Sequence, residues 1–330
     1  MYRMLSLFAA FLALGIVILG AYVRLNDAGL GCPDWPGCYG HVAVPEAAQD
    51  VASAEAKFPG KPVEAHKAWL EMVHRYFAGS LGVLILVLSV LAWRRRTPGT
   101  IPWLPTALVG VVIFQGLLGM WTVTLLLKPV IVSLHLIGGL TTFALLSVMA
   151  LRNFELGRGP AVTSSTRAFA LFGLVALACQ IALGAWTSTN YAALACPDFP
   201  LCKGSLEPEM DFGHAFHVLR ELGYTADGQL LSNAALTAIH YTHRVGALLV
   251  GTALLTLGLF LLRKPGLRVF GLLLLGTLAL QLTIGVSIVL LQLPLPLAVM
   301  HNAGAALLLF VLVATNTAVR TRPVVSSVPL

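Results

Sequence analysis

The sequence predicts an all-α membrane protein: eight transmembrane helices forming two pseudo-symmetric four-helix bundles, with two long outer loops. Three observations carry this. Of the 330 residues 58% are hydrophobic and only 11% charged, where a soluble globular domain carries about 25% charge, and the mean hydropathy is +0.85. The apolar residues fall into eight stretches, each near the roughly 20 residues that a bilayer requires. The second half of the chain also repeats the first. This composition excludes a soluble enzyme, a disordered or collagen-like chain and a disulfide-dense secreted scaffold.

The first stretch, Met4–Val23, is too long for a signal-peptide core and has no small-x-small cleavage site before Arg24, so it reads as a span. The others are Lys67–Trp93, Ile101–Leu127, Pro129–Leu151, Arg167–Thr189, Asn233–Leu262, Leu267–Gln292 and Pro294–Val319. The loops on the side of the termini hold twelve Lys and Arg, among them Arg94, Arg95, Arg96, Arg158, Lys264 and Arg322, against one acid, Glu155. Short basic loops stay cytoplasmic. Both termini are therefore expected inside, with the long loops Arg24–His66 and Asn190–Ser232 outside. The formal charge of +7 is then an orientation signal, and no nucleic-acid partner is expected.

Gly20-Ala21-Tyr22 and Cys32-Pro33-Asp34-Trp35-Pro36-Gly37-Cys38-Tyr39-Gly40 recur as Gly184-Ala185-Trp186 and Cys196-Pro197-Asp198-Phe199-Pro200-Leu201-Cys202-Lys203-Gly204, at an offset of 164. His74-Arg75 recurs as His243-Arg244 at 169, and Gln115, Gly119 and His135 as Gln281, Gly285 and His301 at 166. Each half has four spans. An even number keeps both copies in one orientation, so the repeat is parallel. The halves are taken as 1–155 and 156–330.

Four of the nine histidines, His74, His135, His243 and His301, form the two repeat-related pairs. Each lies on an even-numbered span, on the order of 7–15 Å below the outer surface. Paired neutral imidazoles facing each other across a bundle are the usual axial ligands of a b-type haem. Zinc fits less well, because no thiolate or carboxylate completes a four-ligand set. Gly138, Gly246 and Gly304 stand three residues after their histidines, where small size would admit a flat macrocycle or simply tight helix packing; Phe77 takes that place after His74. Arg75 and Arg244 are candidates for haem propionates, with snorkelling to headgroups as the alternative.

Glu71 stands three residues before His74, and His240 three before His243. A carboxylate at membrane depth is costly and points to function, although an ion pair with Arg75 would also account for it. One half with an acid and one without suggests a reaction site and a supporting site. Glu71 is the candidate general base or charge stabiliser, and His240 a secondary partner or proton carrier. Cys32 with Cys38 and Cys196 with Cys202 lie in outer loops and read as two disulfides, either structural or redox-active. Cys179, within a span, reads as an inert apolar filler. The segment 42–64 shows no apolar period.

The segment Glu71-Met72-Val73-His74-Arg75, with His135, His243-Arg244, His301, the loop Gly31-Cys32-Pro33-Asp34-Trp35-Pro36-Gly37-Cys38 and the duplicated four-helix unit, resembles the haem A synthases of bacterial and mitochondrial inner membranes. The resemblance covers nearly the whole chain. It implies oxidation of the C8 methyl of haem O to the formyl of haem A. His74 and His135 would flank the substrate haem, His243 and His301 would ligate a permanent haem b, and Glu71 would be the catalytic acid. It also implies a bacterial cytoplasmic-membrane location, and haem O synthase and cytochrome oxidase assembly proteins as partners besides lipid. The rival readings are a quinol-linked diheme electron-transfer protein and a non-catalytic haem carrier; a transporter fits least.

Overall fold

The computed structural model describes residues 1–96, 102–154, 160 and 162–320. The helices are α1 (Tyr2–Leu25), α2 (Ala48–Lys57), α3 (Ala65–Arg94), α4 (Trp103–Thr124), α5 (Pro129–Asn153), α6 (Ser164–Thr189), α7 (Phe212–Ala215), α8 (Asn233–Leu262), α9 (Arg268–Leu290) and α10 (Leu295–Arg320). Eight of them, all but α2 and α7, are long and apolar enough to cross a membrane. They match the eight expected spans within a few residues at each end. Ile101, the boundary at 155–156, and Glu155, Arg158 and Arg322 of the charge tally lie outside the described residues.

The helices begin where chain chemistry allows. Pro129 opens α5, and Pro105 and Pro296 lie in the first turns of α4 and α10, where no intrahelical N–H bond is forfeited. Thr163 and Ser232 cap α6 and α8 through their side-chain oxygens.

Within the first half α1 packs on α3 and α5, and α4 on α3 and α5; within the second, α6 packs on α8 and α10, and α9 on α8 and α10. The contacts between halves are α1 with α10, α5 with α6, and α5 with α10. Exchanging each helix for its repeat counterpart leaves this contact pattern unchanged. One apolar cluster runs through both halves, from Ala9 and Leu146 to Leu257 and Leu312. The backbone specials repeat as well. Among the described residues, the non-glycine positions of positive φ pair as Asp27 with Tyr191, Tyr39 with Lys203, Leu126 with Gln292 and Leu127 with Leu293. Each left-handed Leu pair member closes its helix with the same bond, Leu127 N–H to Thr122 O and Leu293 N–H to Ile288 O, both 2.8 Å.

The cysteine turns fold alike. Both disulfides form, and all four cysteines are fully buried. Asp34 accepts from the amides of Tyr39 and Gly40 at 2.6 and 2.7 Å, as Asp198 does from Lys203 and Gly204 at the same distances. Those amides, that of Gly204 foremost, hold the Asp198 carboxyl below its usual range. The turn therefore keeps this clamp well into acid, losing it only below the ordinary aspartate pKa.

The segment 42–64 is not a featureless insert. Its α2 buries Ala54 beside Cys32, Cys38, Tyr39 and Met72. The ring of Phe58 meets Tyr39 edge-on at 5.6 Å, and Tyr39 donates to Pro62 O at 2.8 Å. The period was invisible because only ten residues are helical and one small alanine makes the buried contact. Cys179 departs from expectation too: it is exposed on α6, turned away from the helical core, and fills nothing.

Candidate functional site

Two clusters lie near the loop-bearing ends of the bundles. His74 stands nine residues into α3, His135 six into α5, His243 ten into α8 and His301 six into α10, about 9–15 Å along each helix axis. In the first half the imidazoles of His74 and His135 face each other with ring centroids 6.5 Å apart and planes 75° apart. An iron held between two imidazole nitrogens at about 2.0 Å each, with about 1.1 Å from nitrogen to ring centre, needs roughly 6.2 Å. The separation of the ring centres is close to that value. The Nδ1 atoms of His74, His135 and His301 are buried with no hydrogen-bond partner. Among the described residues no three His, Cys, Asp or Glu side chains converge as a metal site. Paired histidines thus fit a metal that brings its own equatorial ligands, as a haem does.

Each histidine rests on a glycine of the preceding spanning helix. A Cβ at Gly20, Gly119, Gly184 or Gly285 would lie 3.0, 3.4, 3.1 or 3.0 Å from Cε1 of His74, His135, His243 or His301. These glycines, known from the sequence only as repeat markers, set the imidazole positions. Replacing Gly184 by valine is expected to push His243 off its seat. Overpacking of this kind costs about 1–3 kcal/mol, or roughly five- to 150-fold in affinity for a haem, should His243 hold one. Absorption spectra of the purified variant, at unchanged helix content by circular dichroism, check it.

Of the two readings for the glycines three residues after the histidines, the contacts seen are those of tight helix packing. A Cβ at Gly138, Gly246 or Gly304 would collide with Oε1 of Gln115, Gln180 or Gln281. They make room for glutamine side chains of the facing helix. Gln180 joins Gln115 and Gln281 in this role; a glutamine four residues before three of the four histidine-seating glycines is the sequence signal for it.

Glu71 is 5% exposed. Its Oε2 accepts from the Cys32 amide at 2.9 Å and its Oε1 from Arg75 Nη2 at 2.5 Å. Arg75 Nη1 also donates to the carbonyls of Asp34, Pro36 and Gly37. The carboxylate thus ties the first disulfide turn to α3, three residues from His74. The second half repeats the arrangement with a neutral group. His240, 4% exposed, meets the Cys196 amide at 3.2 Å and Arg244 Nε at 3.3 Å, and Arg244 donates to the carbonyls of Cys196, Asp198 and Leu201. A neutral imidazole has one acceptor nitrogen, so His240 holds its turn more weakly than Glu71 holds the first. Both arginines, expected to face propionates, spend most of their donors on the turns.

The fold and these clusters define a class: a polytopic helical integral membrane protein built around paired intramembrane histidines. The cytochrome oxidase assembly protein family model (COX15-CtaA) matches residues 3–313, and the chain belongs to that family. It is 44% identical over 303 residues to a protein of Shewanella oneidensis named heme A synthase, with 91% of each chain covered. A heme A synthase of Caulobacter sp. (strain K31) is 30% identical over 326 residues, covering 91% of this chain and 90% of the relative. One of Alkalihalophilus pseudofirmus is 30% identical over 232 residues, covering 66% and 71%.

Proposed function

We propose that the protein is a haem A synthase of the bacterial cytoplasmic membrane, converting the C8 methyl group of haem O to a formyl group by two successive hydroxylations. The observation that carries this reading is the asymmetry of two matched sites, an ionisable carboxylate three residues before His74 in one and an imidazole in the other. Membership of the family and the naming of its relatives support it. In this reading the first half, 1–155, holds haem O as substrate between His74 and His135. The second, 156–330, holds haem b on His243 and His301. Both termini are cytoplasmic, and the disulfide turns face outward.

When bound, haem b supplies a one-electron relay for the electrons removed from the methyl carbon. The protein's own residues do the rest. With haem O bound, His74 and His135 would both be available to ligate its iron, leaving no open position for dioxygen, which favours water as the oxygen source. Each hydroxylation then joins a water oxygen to the carbon and releases two protons and two electrons, the electrons passing to an external acceptor; the geminal diol left by the second loses water to give the formyl group. Glu71 stands at the depth of His74 to accept those protons or to offset positive charge building on the substrate. Its bond to the Cys32 amide fixes the carboxylate, and Arg75 compensates its charge at rest. Arg75 and Arg244, while holding the turns, keep positive charge on the outward side, where propionates would find it. Cys32–Cys38 and Cys196–Cys202 pin those turns, and α2 covers the first of them.

Co-expression with a source of haem O, followed by haem extraction and chromatography, tests the reading. Haem A or its singly hydroxylated precursor is the expected product. A folded, haem-loaded protein yielding neither would return it to the diheme electron-transfer class.

A further inference from the structure

Four helices precede the four histidine helices, and each carries a residue four positions before the histidine-seating glycine. These are Ile16 on α1, Gln115 on α4, Gln180 on α6 and Gln281 on α9. In three pairs the glutamine Nε2 donates across the helix gap to the histidine's own carbonyl: His135 at 2.9 Å, His243 at 2.9 Å and His301 at 3.1 Å. Gln180 also lies 3.0 Å from His243 Nδ1, and Gln281 3.3 Å from His301 Nε2. The glutamine fits because glycine stands three residues beyond the histidine. The α1–α3 pair departs on both sides at once. Ile16 offers no donor, and Phe77 stands at the glycine position. Three histidine helices carry this glutamine clamp at the histidine carbonyl; among the described residues α3 does not.

We propose that Ile16 and Phe77 make the first haem site the exchangeable one. Resting on the reading of that half as the substrate site, the proposal makes His74 the ligand that lets go when product leaves and substrate enters. A substrate haem must dissociate each cycle, whereas a relay haem must stay. An unclamped ligand helix suits the first demand, and the two clamps of Gln180 and Gln281 suit the second. His135, clamped by Gln115, stays as the fixed wall of the substrate site. Ile16 and Phe77 are positioning residues, acting through α3 and His74 without touching the reacting carbon.

The test loads both sites of the full-length protein in detergent with haem b, which undergoes no conversion, and adds excess apomyoglobin as haem acceptor. Loss should be biphasic, with the fast phase absent from His135→Ala protein and the slow phase absent from His301→Ala protein. One interhelical hydrogen bond within a bilayer shifts an equilibrium by about three- to tenfold. The double variant Ile16→Gln/Phe77→Gly should slow the fast phase by about that factor and leave the slow phase unchanged. Ile16→Gln alone should do less than the double variant, because the three clamped helices all have glycine where α3 has Phe77. The opposite exchange, Gln180→Ile/Gly246→Phe, should speed the slow phase, which keeps the idea testable should the first double variant fail to fold. A single phase, or a fast phase indifferent to Ile16→Gln/Phe77→Gly, overturns the proposal without bearing on haem A formation. A biphasic pattern in a protein that makes no haem A overturns the proposed reaction and leaves the exchange asymmetry standing.

Discussion

Replacing Glu71 by glutamine is expected to abolish haem A formation while the haem b spectrum persists. Glutamine is nearly the same size, and its amide oxygen can still accept the Cys32 amide that now bonds Oε2 at 2.9 Å. Arg75 keeps its three carbonyl partners in the turn, so its guanidinium is not left bare. The variant loses charge and basicity and little else. A positioned proton acceptor contributes about 10²–10⁴-fold to a rate, and formation of haem A per cell or per protein should fall by that order. Glu71→Ala should do more: it also frees the disulfide turn, which faster proteolysis of the first outer loop would report. If Glu71→Gln leaves haem A production unchanged, the carboxylate is a structural tie alone. The matched change His240→Gln is expected to leave the reaction within a few-fold, since the proposed reading places the substrate in the other half.

The sequence made the spans legible because bilayer-crossing length and the scarcity of charge leave few alternatives. It made the histidine pairs legible because duplication writes the same site twice: His74 with His243, and His135 with His301, stand out against apolar helices. Roles that depend on side-chain direction were less legible. Arg75 and Arg244 follow ligand candidates in sequence, yet one residue along a helix is a turn of about 100°, enough to aim them at the turns. Gly138, Gly246 and Gly304 leave a macrocycle and tight helix packing equally open in the sequence, because no one-dimensional pattern says that the opposing helix brings a glutamine. The helix α2 was missed for a related reason: its buried contact is one alanine, Ala54, under a loop held by Tyr39 and Phe58. What sequence hides here is which neighbour fills a given gap.

Single histidine removals, one per half, are expected to separate the two sites. His301→Ala should cost the protein its tightly held haem b and keep the first site. The gap left beside Gly285 and Gln281 would lack an axial nitrogen, and a single remaining imidazole, His243, would give a five-coordinate iron with a high-spin spectrum or an empty site. His135→Ala should leave the haem b spectrum intact and remove the loading of the first half. Its ring faces His74 at 6.5 Å, and no other imidazole among the described residues is paired with His74 in this way. Haem content per chain by pyridine haemochromogen assay, together with the low-temperature spectrum, should therefore fall by one equivalent in each variant and by different bands. Activity separates them further. The His301→Ala protein, still able to bind haem O but deprived of its relay, should stall with the methyl group unoxidised or singly hydroxylated. The His135→Ala protein should contain no processed haem at all. Were both variants to lose the same spectral component, the two histidine pairs would belong to one shared site, and the assignment of substrate to one half and relay to the other would fall with it.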